Sequence, residues 1–185
     1  MQTAGLIASM RPRQWIKNLL VVAVPLAAGQ LLEPAVFVRT LMAFVAMCAA
    51  SASVYLANDI LDREADRNHP DKRNRPIASG RVSVGAATAV AVALAVAAVV
   101  GPALLGSTDL PLLILAYLVL QAVYITWAKH QPVLDLASVA AGFVLRAVAG
   151  GVASNISIST WFLTVTAASA MFVVAGKRYS ELVTH

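Results

Sequence analysis

The stretch Val36–Asp66, VFVRTLMAFVAMCAASASVYLANDILDREAD, decides how this chain folds and where its chemistry lies. From about Val36 to Ala57 it is a continuous apolar run with one charge, Arg39, near one end. A helix crossing a bilayer needs about 20 such residues. In lipid, only helices and closed barrels satisfy their backbone hydrogen bonds. A barrel strand would alternate apolar and polar residues, and this run does not. The segment therefore reads as a transmembrane helix that delivers the charged string Asn58–Asp66 to the membrane surface.

Composition extends that reading to the whole chain. Of 185 residues, 59% are hydrophobic and 12% charged, half the roughly 25% charge of a soluble domain. Mean hydropathy is +0.77. Further apolar runs lie at about Trp15–Leu32, Val84–Leu105, Leu110–Ala128, Val133–Ala153 and Ile158–Gly176. Together they predict an all-α, polytopic bundle of about six spans, one domain over residues 1–185, with Gly101-Pro102 bending the third span near its end. Small residues, Ala49–Ser53 in one span and Ala140, Gly142, Ala147, Gly150 and Gly151 in another, allow close helix approach. Cys48 is the only cysteine, so no internal disulfide forms, and it reads as a packing residue.

Counting spans alternately, the N-terminus with Arg11, Arg13 and Lys17, the Asn58–Arg81 segment, Lys129 and Lys177-Arg178 fall on one side. Only Arg39 falls on the other. The bias makes the N-terminus and these segments cytoplasmic. The net charge of +5 would suggest nucleic acid in a soluble protein. Beside spans it marks topology and anionic headgroups instead, so the expected partner is the bilayer and not nucleic acid. Met1–Met10 lacks the basic start of a cleavable signal peptide.

Beyond Ala57 the chain reads Asn58-Asp59-Ile60-Leu61-Asp62-Arg63-Glu64-Ala65-Asp66. If the helix continues, Asp59, Asp62 and Asp66 fall on one side of it. Carboxylates so close repel unless a cation neutralises them. Mg²⁺ is commonly held by one or two carboxylates plus substrate phosphates. The plain alternative is a solvated helix end paired with Arg63 and Arg67. Charge at the end of an apolar span is costly, which favours a site. The following loop supplies Lys72, Arg73, Arg75 and Arg81, whose donors suit phosphate oxygens. His69 has no partner at ligand spacing and reads as structural or phosphate-contacting.

Asp135 and Arg146 share the fifth span, eleven residues and about 16 Å apart, and cannot touch. Asp135 sits near the cytoplasmic end. Arg146 is deeper, and an intramembrane arginine marks a substrate contact or a cavity wall. Lys177, Arg178, Tyr179 and Glu181 end the last span on the side of the acidic string.

The pattern Asn-Asp-x-x-Asp-x-x-x-Asp at Asn58–Asp66, followed by Lys72 and by Arg75-Pro76-Ile77-Ala78-Ser79-Gly80, resembles the UbiA superfamily of membrane prenyltransferases. Three further strings are similar to its decaprenyl-phosphate phosphoribosyltransferase branch: Arg11–Asn18, Gly142–Gly151 and Gly176–Leu182. The resemblance implies a helical bundle of about nine spans, so a chain with about six is expected to be incomplete at its C-terminus. It implies transfer of 5-phosphoribose from phosphoribosyl pyrophosphate to a polyprenyl phosphate in a bacterial plasma membrane, for cell-wall arabinan. It also implies Mg²⁺ as cofactor, held with the pyrophosphate by Asn58, Asp59, Asp62 and Asp66. Lys17, Lys72, Arg73, Arg75 and Arg146, with Asn58, would bind substrate. Lys177, Arg178, Tyr179 and Glu181 would join the three aspartates as catalytic residues. That last string stands where the superfamily usually carries a second acidic motif, a departure that favours a donor other than a prenyl diphosphate.

Elementary chemistry is consistent with such a reaction. Loss of pyrophosphate from a sugar C1 builds negative charge on the leaving group, which fixed cations and a metal ion stabilise. A phosphate acceptor is already ionised, so no strong base is required. Prenyl transfer from a diphosphate to an aromatic or quinone precursor is the rival enzyme reading. A transporter would spread charge through the membrane depth, whereas Arg146 is nearly alone there.

Overall fold

The structure is a computed structural model and describes residues 2–183, except for the side chains at positions 132, 177, 178 and 181–183. It is helical throughout the described residues: α1 (Gln2–Ser9), a 3₁₀ helix (Pro12–Val22), α2 (Ala23–Ala27), α3 (Pro34–Leu61), α4 (Arg63–Asn68), α5 (Val84–Leu104), α6 (Asp109–Thr126), α7 (Pro132–Ser154) and α8 (Thr160–Val183). Short 3₁₀ turns occupy Lys72–Asn74 and Ala128–His130.

Helix α3 explains how the site is presented. Pro34 opens it after an extended Glu33, a position where proline's missing N–H costs nothing. Its 28 residues extend about 42 Å, against a hydrocarbon core of about 30 Å. The excess carries Asn58 and Asp59 beyond the apolar stretch. Helix α5 begins at Ser83, whose Oγ accepts from the Ala86 N–H at 3.2 Å. Pro102 falls in its last turn, near the expected bend.

Among the described residues, four helices are long and apolar enough to cross a membrane: Pro34–Leu61, Val84–Leu104, Asp109–Thr126 and Val133–Ser154. In α8 the apolar part is the shorter stretch Thr160–Gly176. The span expected at Trp15–Leu32 differs in kind. It forms the 3₁₀ helix and the five-residue α2 before turning at Gly29, φ 68°. A 3₁₀ run of eleven residues is long for that conformation. It begins after Arg11, a left-handed residue at φ 52° and ψ 61°, and its far end is seated on α7. There Gly150 lies so close to the Val21 carbonyl that a Cβ would overlap it.

Helix α7 is the hub, packed against α8, α6, α3 and the 3₁₀ helix, while α3 packs most broadly on α5. The core interleaves small residues (Ala43, Ala46, Ala50, Ala98, Ala149) with Met47, Leu110, Ile114 and Tyr117, as close packing in lipid requires. Large apolar side chains such as Val96, Leu112, Val119 and Phe172 face outward, the reverse of a water-soluble surface. A second cluster, Leu56, Ile77, Val82 and Ala87 with Leu6 and Met10, clamps the loop after α4 between α1, α3 and α5. The phosphate-binding candidates on that loop therefore stand on a built platform.

Candidate functional site

Backbone hydrogen bonds from Asp62 N–H to the Asn58 carbonyl (2.9 Å) and from Asp66 N–H to the Asp62 carbonyl (2.8 Å) carry helical register from α3 into α4. The aspartates nevertheless meet different partners. Asp59, 2% exposed, accepts from the Arg11 guanidinium at 2.5 Å and from Arg75 at 3.4 Å. Arg75 also donates to Asp66 at 2.7 Å. Arg11, Asp59, Arg75 and Asp66 thus form one alternating chain of charge, with Arg11 also lying over the Tyr55 ring.

Asp62 belongs to a second group. It accepts from the Lys129 ammonium at 2.6 Å and from the Asn58 amide at 3.0 Å, and the Asn58 carbonyl lies 3.5 Å from the same ammonium. Arg63 and Arg67, the alternative partners for the aspartates, turn to Glu64 instead, at 4.0 and 3.3 Å. Each aspartate of the string is therefore paired from a distant segment: the connection between α1 and the 3₁₀ helix, the loop after α4, or the α6–α7 connection.

These residues border a cavity of about 560 Å³. Its lining carries Arg11, Lys17, Lys72, Arg75 and Lys129 with Asn58 and Asp62, the polar Gln121, Tyr124 and Asp135, and the apolar Val54, Val139, Phe143 and Val174. A smaller, adjoining cavity of about 380 Å³ shares Asp62, Lys72, Tyr124 and Lys129 and adds His69, Asp66 and His130. His69 supports the loop, accepting at Nδ1 from the Asp71 and Lys72 N–H groups at 3.2 and 3.4 Å.

Arg146 also borders the larger cavity, within a buried network. Its Nε donates to Asn18 Oδ1 at 2.8 Å, one terminal nitrogen to the Gly142 carbonyl at 2.7 Å, and the other to the Tyr117 hydroxyl at 2.8 Å. Its guanidinium lies over the Tyr117 and Phe143 rings. Ser51 joins Asn18 and Tyr117, each at 3.3 Å, and the Asn18 amide donates to Cys48 Sγ at 3.2 Å. A buried charge is tolerable only with such satisfaction. The network also ties the 3₁₀ helix, α3, α6 and α7 together.

Of the expected site residues, the structure brings Lys17, Asn58, Asp62, Lys72, Arg75 and Arg146 to the cavity wall. Asp59 and Asp66 are outside that lining, held in arginine pairs, although Asp66 lines the smaller cavity. Arg73 is exposed on the loop, outside both linings. Tyr179 is 71% exposed. The side chains of Lys177, Arg178 and Glu181 lie outside the described residues. Arg11, Lys129, Tyr124 and Asp135 were not expected at the site. Lys129 could have been suspected only as a basic residue in the right connection.

Among the described residues, no three Asp, Glu, His or Cys side chains converge as a metal cluster. The donor set at Asn58 and Asp62 still suits a hard cation. Its oxygens hold one already, the Lys129 ammonium, and Mg²⁺ needs few protein ligands when phosphates supply the rest.

The pattern of the UbiA prenyltransferase family matches residues 19–180. The chain is 46% identical over 185 residues to a decaprenyl-phosphate phosphoribosyltransferase of Corynebacterium glutamicum, covering 98% of this chain and 55% of that protein. It is 49% identical over 183 residues to the protein of the same description in Mycolicibacterium smegmatis, covering 97% and 57%. A solved structure described as digeranylgeranylglyceryl phosphate synthase in membranes superposes with a TM-score of 0.76 at 15% identity, covering 96% of this chain and 61% of that one. At that identity the likeness speaks for the fold. The chain spans little more than half the length of the relatives it matches.

Proposed function

Since the chain belongs to the UbiA prenyltransferase family, we propose that it is the catalytic portion of a transferase that moves 5-phosphoribose from phosphoribosyl pyrophosphate to a polyprenyl phosphate, decaprenyl phosphate in the relatives' case. The product would serve cell-wall arabinan synthesis. The membrane is the bacterial plasma membrane, with the N-terminus and the charged cavity wall toward the cytoplasm.

The observation that carries this reading is a cavity lined by Arg11, Lys17, Lys72, Arg75 and Lys129 together with Asn58 and Asp62. Such a lining suits a donor with several phosphate groups. The C1–oxygen bond to pyrophosphate breaks as a new bond forms from C1 to an acceptor phosphate oxygen. Lys72, Arg75 and Lys129 orient the pyrophosphate and stabilise the charge it gains on leaving. Mg²⁺ held by Asn58, Asp62 and the diphosphate would supply further neutralisation there. The acceptor chain stays in lipid, its phosphate meeting the donor at the interface. Val139, Phe143 and Val174 give the cavity apolar lining suited to the first carbons of such a chain.

The test is a transfer assay with the full-length protein in liposomes, using radiolabelled phosphoribosyl pyrophosphate, polyprenyl phosphate and Mg²⁺, for wild type and Asp62→Asn. Prenyl diphosphate with an aromatic acid serves as a rival pair. Label entering the lipid phase, dependent on Mg²⁺ and on Asp62, supports the reading. Activity with the rival pair alone, or with neither pair, sinks it.

A further inference from the structure

The three aspartates of the acidic string are not held alike. Asp59 and Asp66, with side chains 3% and 5% exposed, are paired with the forked guanidiniums of Arg11 and Arg75. Asp62, 31% exposed, is paired with a lysine. The Asn58 amide donates to Asp62 Oδ2 at 3.0 Å, and the two remaining side-chain oxygens of the pair face one ammonium. Lys129 Nζ lies 2.6 Å from Asp62 Oδ1 and 3.5 Å from Asn58 Oδ1. Mg²⁺ bound to those oxygens would stand about 2.0–2.1 Å from each, so ammonium and metal ion cannot share the position. Lysine is suited to give way, being a point charge on a flexible stem where arginine is a rigid fork. Lys129 belongs to the short turn Ala128–His130 and lines both cavities beside Lys72. An ammonium that leaves Asp62 therefore still borders the space assigned to pyrophosphate.

We propose that Lys129 is the cavity's own stand-in for the divalent cation: its ammonium holds the Asn58–Asp62 position until pyrophosphate draws it away, so the protein alone binds the metal weakly. This rests on the metal–pyrophosphate part of the reading above and holds whatever group the pyrophosphate carries. Lys129 thereby acts twice, on Asp62 before the donor binds and on the leaving group afterwards.

The full-length protein in neutral detergent is titrated with Mn²⁺ alone, free Mn²⁺ being read by electron paramagnetic resonance. Wild type should bind weakly. Lys129→Met should bind about tenfold tighter or more, the worth of removing one adjacent like charge. The double variant Lys129→Met, Asp62→Asn should lose that gain. Binding of radiolabelled pyrophosphate in saturating Mg²⁺ should move the other way, weakening by about tenfold in Lys129→Met. A purely structural role would weaken both. Lys129→Gln serves as the readout if Lys129→Met fails to fold. Variants that bind Mn²⁺ no tighter than wild type overturn the proposal. So does a gain that survives Asp62→Asn, or pyrophosphate binding that is undiminished. Wild-type pyrophosphate binding that is the same in Mg²⁺ and in chelator removes the metal–pyrophosphate reading and this one together. Failure of ribose transfer, with metal-dependent pyrophosphate binding intact, sinks the phosphoribosyl donor alone.

Discussion

Replacing Gly150 by alanine tests how the 3₁₀ helix is held. A Cβ at this position would overlap the Val21 carbonyl oxygen and stand 2.8 Å from its carbonyl carbon and 3.2 Å from its Cα. All three are backbone atoms, so no side-chain rotation relieves the contact. Overpacking costs about 1–3 kcal/mol, and the backbone contact puts this case at the upper end. Alanine in a helix interior returns roughly 0.5–1 kcal/mol relative to glycine. The net loss is about 2 kcal/mol, or a fall in Tm of about 4–8 °C for a chain of this size. Thermal unfolding in detergent, followed by tryptophan fluorescence, gives the number. Gly85→Ala in α5, where a Cβ meets nothing within 4 Å, is the control and should not lower Tm. The displaced helix follows Arg11 and carries Lys17 midway along it, so donor KM should rise in Gly150→Ala as well. A Gly150→Ala protein as stable as the control would refute the idea that this contact seats the helix.

Removing Arg146 as Arg146→Met leaves the neutral Asn18, Tyr117 and Gly142 acceptors unsatisfied; a loss of about 1–3 kcal/mol is expected, seen as a lower folded yield in size-exclusion chromatography. A monodisperse Arg146→Met protein with wild-type Tm would mean that the network contributes little. Lys129→Ala leaves Asp62 without its cation and should lower kcat/KM for the donor by about tenfold or more, since hydrogen bonds to charged groups are worth about 1.5–3 kcal/mol. Unchanged kinetics would exclude Lys129 from the site.

The long apolar runs announced α3, α5, α6 and α7 because length and composition alone decide whether a helix can live in lipid. The acidic string was equally plain, since charge beside a span is conspicuous. What periodicity could not foresee is which cation each aspartate meets. Asp59 and Asp62 are neighbours on one helix, yet one turns to Arg11 and Arg75 and the other to Lys129. That division depends on how the 3₁₀ helix and the α6–α7 connection close around α3, which is a matter of tertiary packing. The run Trp15–Leu32 looked like an ordinary span because its hydropathy is unaffected by backbone type. Its 3₁₀ form follows from the left-handed Arg11 and the close seat at Gly150. Asp135 and Tyr124, eleven residues apart across a turn, carried no motif.

The alternating row Arg11, Asp59, Arg75, Asp66, with Lys129 on Asp62, means that these three carboxylates already hold cations before any ligand arrives. Loading the site is then an exchange and not an addition. An incoming phosphate competes with carboxylates for the guanidinium and ammonium groups, and an incoming metal ion competes with those groups for the carboxylates. Either newcomer alone upsets the balance, whereas the two together restore it. Under the proposed function, such wiring would favour the joint entry of cation and polyphosphate.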